Sequence, residues 1–269
     1  MNVAGLRLSV TLLTVIPWRP RPGEELAAPS RADAAAAMAW APAVGLLLGV
    51  VAAAVLLGAD HPLGAGPLTA AGLATGVLAL LTRGLHLDGL ADLADGLASA
   101  QPAPAALDIM RKSDIGPLGT VTLIMTLLLQ VAALSHAEAA GSGRGPAALI
   151  AATVTSRLAL TWACRRGVPA ARPDGLGALV AGSVRPTVPA AVTAVTLAAA
   201  AAAVVISATA GGSLGWTLPL AVAAGLGAAL AVRRHAVRRL GGITGDVLGA
   251  LAEIAVTVTL VVASMGPAA

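Results

Sequence analysis

The chain has no tyrosine and no phenylalanine, so Trp18, Trp40, Trp162 and Trp216 are its only aromatic residues. It has one cysteine, Cys164, and one lysine, Lys112. A single cysteine excludes an intrachain disulfide and a multi-cysteine metal site. Its plain reading is a small buried residue. Charge is scarce too: 11% of the residues are charged, where a soluble domain carries about 25%. Instead, 57% of the 269 residues are hydrophobic, and the mean hydropathy is +0.87. This combination indicates an integral membrane protein. The apolar runs are long and lack period-2 alternation, which argues against a β-barrel and predicts an all-α, polytopic fold.

The net charge of +4 is carried almost wholly by arginine. That balance suits anionic lipid headgroups or phosphorylated substrates. Nucleic acid is not an expected partner, because the basic residues are split among short loops with no aromatic platform beside them.

A membrane span needs about 20 mostly apolar residues. Stretches meeting this run over 34–57, 66–81, 116–134, 146–164, 188–207, 214–232 and 247–265, about seven transmembrane helices in all. With the first span starting in the cytoplasm, Arg7, Arg19, Arg21, Arg31, Arg83, Arg111, Lys112, Arg165, Arg166, Arg172, Arg185, Arg233, Arg234, Arg238 and Arg239 share one side. The other side holds Arg144, and Arg157 falls inside a span. The positive-inside rule then places the plasma-membrane protein with its N-terminus in the cytoplasm and its C-terminus outside. The short stretch "LRLSVTLLTVIPW" is expected to be a retained amphipathic or re-entrant helix, with a signal-peptide core as the alternative. Residues 1–269 read as one membrane-embedded domain.

Against this background, "RGLHLDGLADLADGL" at 83–97 is unusual. Asp88, Asp92 and Asp95 are spaced i, i+4, i+7, within about 60° of one another on a helix. Three carboxylates on one stripe repel unless a cation sits among them. Carboxylate oxygens suit Mg²⁺, which usually takes one or two of them together with substrate phosphates. The plainer alternative is a solvated acidic face. Asp246 and Glu253 form a second acidic pair, i and i+7, in "TGDVLGALAE". Glu253 lies inside the last span, where an ionisable group is a functional candidate or is paired structurally, for example with Arg157. Gly241, Gly242 and Gly245 precede that helix, with Thr244 as its cap. Arg111, Arg157 and Arg172 are candidates to hold phosphate beside a metal. His86 is either a proton acceptor or an interfacial histidine. His61, His136 and His235 take the structural reading.

Taken in order, "LTVIPW", "APAVGLLLG", "GLHLDGLADLADGL", "IMRKSDIGPLG", "SRLALTWACRRGVPAARPDGLGALVAG" and "RRLGGITGDVLGALAE" resemble the cobalamin synthase family, the adenosylcobinamide-GDP ribazoletransferases. The match extends over nearly the whole chain. It departs from the family pattern at Lys112 and Asp114, whose charges are in reverse order, and at Ala170, where a tyrosine is common. The resemblance implies a Mg²⁺-dependent membrane enzyme of late cobalamin biosynthesis. Its substrates would be adenosylcobinamide-GDP and α-ribazole or α-ribazole 5′-phosphate, and GMP would be released. The resemblance points to His86, Asp88, Asp92, Asp95 and Asp246, with Arg157 and Arg172; the expected roles are His86, Asp92 and Asp246 as catalytic groups, Asp88, Asp92 and Asp95 on the metal, and Arg111, Arg157 and Arg172 on the phosphates. Self-association, or association with other enzymes of the pathway, is also an expectation. Two rival readings are a CDP-alcohol phosphotransferase and an ion-coupled transporter. The first family's signature fails after Asp88-Gly89. The second predicts acids in the middle of two related spans, where only Glu253 lies well inside one.

Overall fold

The protein is described here by a computed structural model covering residues 3–18, 28–212 and 214–265; Arg19 and Arg21, counted above, lie outside these, as do the last four residues. Over the described residues the chain forms eleven helices and no strand, with two isolated backbone bridges. The all-α expectation holds.

Helix α1 (Val3–Leu13) is the expected N-terminal helix, about 16 Å long at 1.5 Å per residue. It packs along the start of α2 (Arg31–Asp60), with Gly5 against Ala36. A capping box opens α2: the Ser30 hydroxyl accepts from the Asp33 amide and the Asp33 carboxylate accepts from the Ser30 amide. Helix α3 (Pro67–Leu81) then meets α4 (Leu85–Ala98) at 87°. Arg83 (φ 57°) and Gly84 (φ 66°), both left-handed, make that corner. A short α5 (Ala103–Ile109) leads to α6 (Pro117–Ala139) and α7 (Arg144–Ala163). A second short helix, α8 (Gly175–Val180), precedes α9 (Thr187–Thr209), α10 (Thr217–Leu240) and α11 (Gly245–Ser264).

Among the described residues, five helices are long and apolar enough to cross a membrane: α2, α6, α9, α10 and α11. The bent pair α3–α4 brings the number to six if it counts as one span. The expected seven are therefore not all recovered, for two physical reasons. Helix α3 has 15 residues, and the chain turns sharply at its end. Helix α7 carries Thr153, Thr155, Ser156, Arg157 and Thr161, all buried. It sits among α2, α6, α10 and α11, so these polar groups meet protein rather than lipid. The Thr155 hydroxyl donates to its own helix at Ala151 O (2.7 Å), and Thr161 donates to Met38 O of α2 (2.8 Å).

Successive long helices run between two poles. One pole gathers the start of α2, α4, the start of α6, the end of α7 and the start of α11. Its ties include Arg31 to Ala181 O (2.7 Å) and Arg166 N to Val184 O (2.8 Å). At the other pole the end of α2 meets the end of α6, with His61 Nε2 3.8 Å from the Glu138 carboxylate. Small residues let the helices come close, as helix packing in lipid requires. A Cβ on Gly45 would lie 2.5 Å from Thr153 O, and one on Gly225 would lie 2.8 Å from Ala255 O. Helix α9 is the least embedded, burying Pro189, Ala200 and Val204.

Gly45→Ala should therefore force α2 off α7 and cost about 1–3 kcal/mol. Gly58→Ala, whose Cβ meets nothing within 4 Å, should leave stability unchanged or slightly raised. Thermal unfolding of the two variants in detergent tests the contrast.

Candidate functional site

Helix α4 is amphipathic, and its two faces have different tasks. His86, Gly89, Leu90, Leu93 and Gly96 are buried, while Asp88 is exposed and Asp92 half-buried on the other side. The buried face crosses the first turn of α11 at backbone contact. A Cβ on Gly89 would lie 2.7 Å from Asp246 O and 2.8 Å from Asp246 Cα. On the partner helix, a Cβ on Gly249 would lie 3.1 Å from the carbonyls of Leu85 and His86. Two reciprocal glycines thus bring Asp246 beside the aspartates of α4.

The α11 N-terminus is built from two loops laid against each other. Ala171 N donates to Ile243 O (3.0 Å) and Ile243 N donates to Pro169 O (2.9 Å). Gly242 lies directly on the backbone of 169–171, leaving no room for a side chain. Thr244 caps the helix by accepting from Val247 N (3.2 Å), and its hydroxyl donates to Asp246 Oδ2 (3.1 Å). Asp246 itself lies in the first turn of α11. The same loop pairing sets Arg172 beside it, with Nη1 3.7 Å from Asp246 Oδ2. Arg172 also donates from Nη2 to Leu107 O (2.5 Å), while its buried Nε has no partner among the described residues.

The three aspartates of the stripe do not act alike. Asp95 accepts from Gly116 N (2.7 Å) on one oxygen and Gly119 N (2.9 Å) on the other. It thereby caps α6, whose own N-cap residue, Gly116, has no side chain to do so. Asp88 and Asp92 face Asp246 instead. Helix α4 turns 87° away from α3 and crosses the pole, with Asp92 half-buried on it. Partial burial, followed by repulsion from Asp88, Asp246 and Asp95, raises the Asp92 carboxyl to about 7; Arg172 offsets part of this. The cluster is short of positive charge.

That shortage and the all-oxygen donor set fit a hard divalent cation held by Asp88, Asp92 and Asp246. Among the described residues, the one trio whose ligand atoms all lie within 4.8 Å of one another is Asp60, His61 and Glu138, at the opposite pole. The α4–α11 carboxylates are more widely set than a closed cage. A bound Mg²⁺ would take one or two of them and fill its remaining positions with waters and substrate phosphates.

Two expected phosphate ligands lie elsewhere. Arg111 pairs with Asp174 (3.0 and 3.3 Å), both well exposed at the rim. Arg157 is buried beneath α4 against His86, on the side away from the aspartates. His86 is not brought to the carboxylates either; it lies two residues before Asp88, about 200° around the helix. Sequence reasoning missed Gly116, Gly119, Asp174 and Gln130. Only the first two had a legible signal, a helix start at Pro117 without a capping side chain.

The family model described as cobalamin-5-phosphate synthase matches residues 5–264. The chain belongs to the cobalamin-5-phosphate synthase family. Among its relatives is the adenosylcobinamide-GDP ribazoletransferase of Frankia casuarinae, 46% identical over 96% of this chain and 94% of that protein. Proteins of the same name from a Nocardioides species and from Azorhizobium caulinodans are 38% and 40% identical, covering 94% and 79% of this chain and 95% and 78% of their own. No solved structure matches. For this family member the geometry separates an acid with a capping task from acids free to meet a ligand.

Asp95→Ala should accordingly destabilise the fold by about 1–2 kcal/mol, the usual cost of a lost cap. Asp88→Ala, at an exposed position, should leave the unfolding temperature within error of the parent.

Proposed function

We propose that the protein is an adenosylcobinamide-GDP ribazoletransferase, joining α-ribazole or its 5′-phosphate to the cobinamide phosphate and releasing GMP. The observation that carries this reading is the meeting of Asp88 and Asp92 with Asp246 and Arg172 at one pole. Membership of a family whose relatives bear that name supports it. A hydroxyl oxygen of the ribazole ribose would attack the phosphorus joined to cobinamide. The bond from that phosphorus to the oxygen of GMP breaks, and the hydroxyl proton leaves.

Asp88, Asp92 and Asp246 would hold Mg²⁺. When bound, it would neutralise diphosphate oxygens that these carboxylates would otherwise repel. Arg172, anchored through Leu107 O, offers its remaining N–H groups to the phosphate and the departing GMP. Asp92 or Asp246, on the side of α4 away from the bundle, would accept the hydroxyl proton. Asp95 keeps α6 docked on α4, and the Arg111–Asp174 pair borders the site. The pole that carries these groups also carries nearly all the described basic residues, so the positive-inside rule puts it in the cytoplasm.

Purified protein supplied with adenosylcobinamide-GDP and α-ribazole should release GMP, and chelation of Mg²⁺ should stop it. Asp92→Asn should lower turnover by about a hundredfold or more, as loss of a key transition-state contact does. A fully active Asp92→Asn protein would remove Asp92 from the site. Orientation is checked by labelling in intact cells, since Cys164 is fully buried and gives a silent background. A cysteine at Lys112 should react only after the membrane is opened, and one at His61 in closed cells.

A further inference from the structure

The buried face of α4 rests on polar side chains that the transfer reaction does not use. His86, 7% exposed, points into the bundle, and its Nδ1 lies 3.5 Å from Arg157 Nη2. Arg157 is 3% exposed, donates from Nη1 to the Ser156 hydroxyl (3.0 Å), and has a buried Nε with no partner among the described residues. Glu253 of α11 and Gln130 of α6 line the same cavity of about 30 Å³ as His86 and Arg157. Gln130 Nε2 donates to Glu253 Oε2 (2.9 Å) and to the Thr257 hydroxyl (3.0 Å). Polar atoms from α4, α6, α7 and α11 therefore converge directly under the helix that carries Asp88 and Asp92.

Such a cluster is expensive to bury in a membrane protein; here two hydrogen-bonded pairs, His86 with Arg157 and Gln130 with Glu253, share one cavity. Apolar residues would fill the same space at lower cost. What they would not supply is direction. Hydrogen-bonding groups accept one arrangement of α4, whereas leucines tolerate several. Arg157, shielded by α4 itself, has no open path to a phosphate on the far side of that helix.

We propose that His86, Arg157, Glu253 and Gln130 form an internal strut that sets the height and rotation of α4. Arg157 is then a positioning residue rather than a phosphate ligand, and Glu253 and Gln130 share its task. The assignment rests on the reading that the outer face of α4 is the reacting site.

The test compares Arg157→Met, Glu253→Leu and the double variant in the purified protein. GMP release gives kcat and KM for adenosylcobinamide-GDP, and hydrogen exchange reads the amides of 85–98. Each single change should lower kcat by about tenfold, a size that coupled neighbours carry, with KM nearly unchanged. The double variant should lose little more than the worse single. Exchange should quicken in α4 and stay as it was in α9. Gln130→Met, a gentler change, should show the same pattern more weakly, and it decides the matter should the charged variants fail to fold. A raised KM in Arg157→Met with Glu253→Leu silent would overturn the strut in favour of phosphate binding. Additive losses with α4 exchange unchanged would overturn it too. If the parent protein releases no GMP, the functional reading fails, and the exchange measurement still decides whether the strut holds α4.

Discussion

The contact between Gly89 of α4 and the backbone of Asp246 governs how close two acidic segments can come, and Gly249 reciprocates it from α11. Sequence distance gives no reason for Asp88 and Asp92 to meet a carboxylate more than 150 residues later. A helix crossing at ordinary separation, about 8–10 Å between axes, would leave room between them for side chains. Removing both Cβ atoms closes that gap and brings Asp246 beside the carboxylates of α4. The rest of the pole follows from holding this crossing. Asp95 fastens α6 to the far end of α4, and the pairing of 169–171 with 243 aims Arg172 at Asp246.

The electrostatic cost is concentrated where the ligand is proposed to bind. Partial burial and like charge raise Asp92 to about 7, and Arg172 compensates only in part. A cluster of this kind spends stability to prepare a site for a cation and a diphosphate. Under α4 the polarity is of another kind, drawn from four helices around one small cavity. The same short helix thus separates a wet, ligand-facing side from a buried side that fixes its position.

Much of this was legible in the residues. The i, i+4, i+7 spacing gave the acidic stripe of α4, and charge asymmetry gave the pole on which it lies. The glycines before Asp246, with Thr244 as cap, announced the α11 N-terminus. Other features were not legible, because they depend on distant partners. Asp95 looks like its two neighbours until Gly116 and Gly119 offer their amides, 21 and 24 residues away. Arg157 and Arg172 were both expected on phosphate, yet Arg157 is enclosed, as its place within a span allows, and Arg172 reaches the site. The span count has a related cause: α7 carries polar groups that meet protein, so its composition alone does not mark it as a span. His86 was a different case, since its position on the opposite face follows from helical geometry alone.

The central claim is that backbone contact between α4 and α11 assembles the site, and the most direct measurement is GMP release by Gly89→Ala. The added methyl would stand 2.7–3.1 Å from the Asp246 backbone, so the helices must part while every candidate side chain remains. The account predicts a folded, membrane-inserted protein with turnover reduced by about a hundredfold, as small misplacements of reacting groups produce. A Gly89→Ala protein with parental turnover would contradict it.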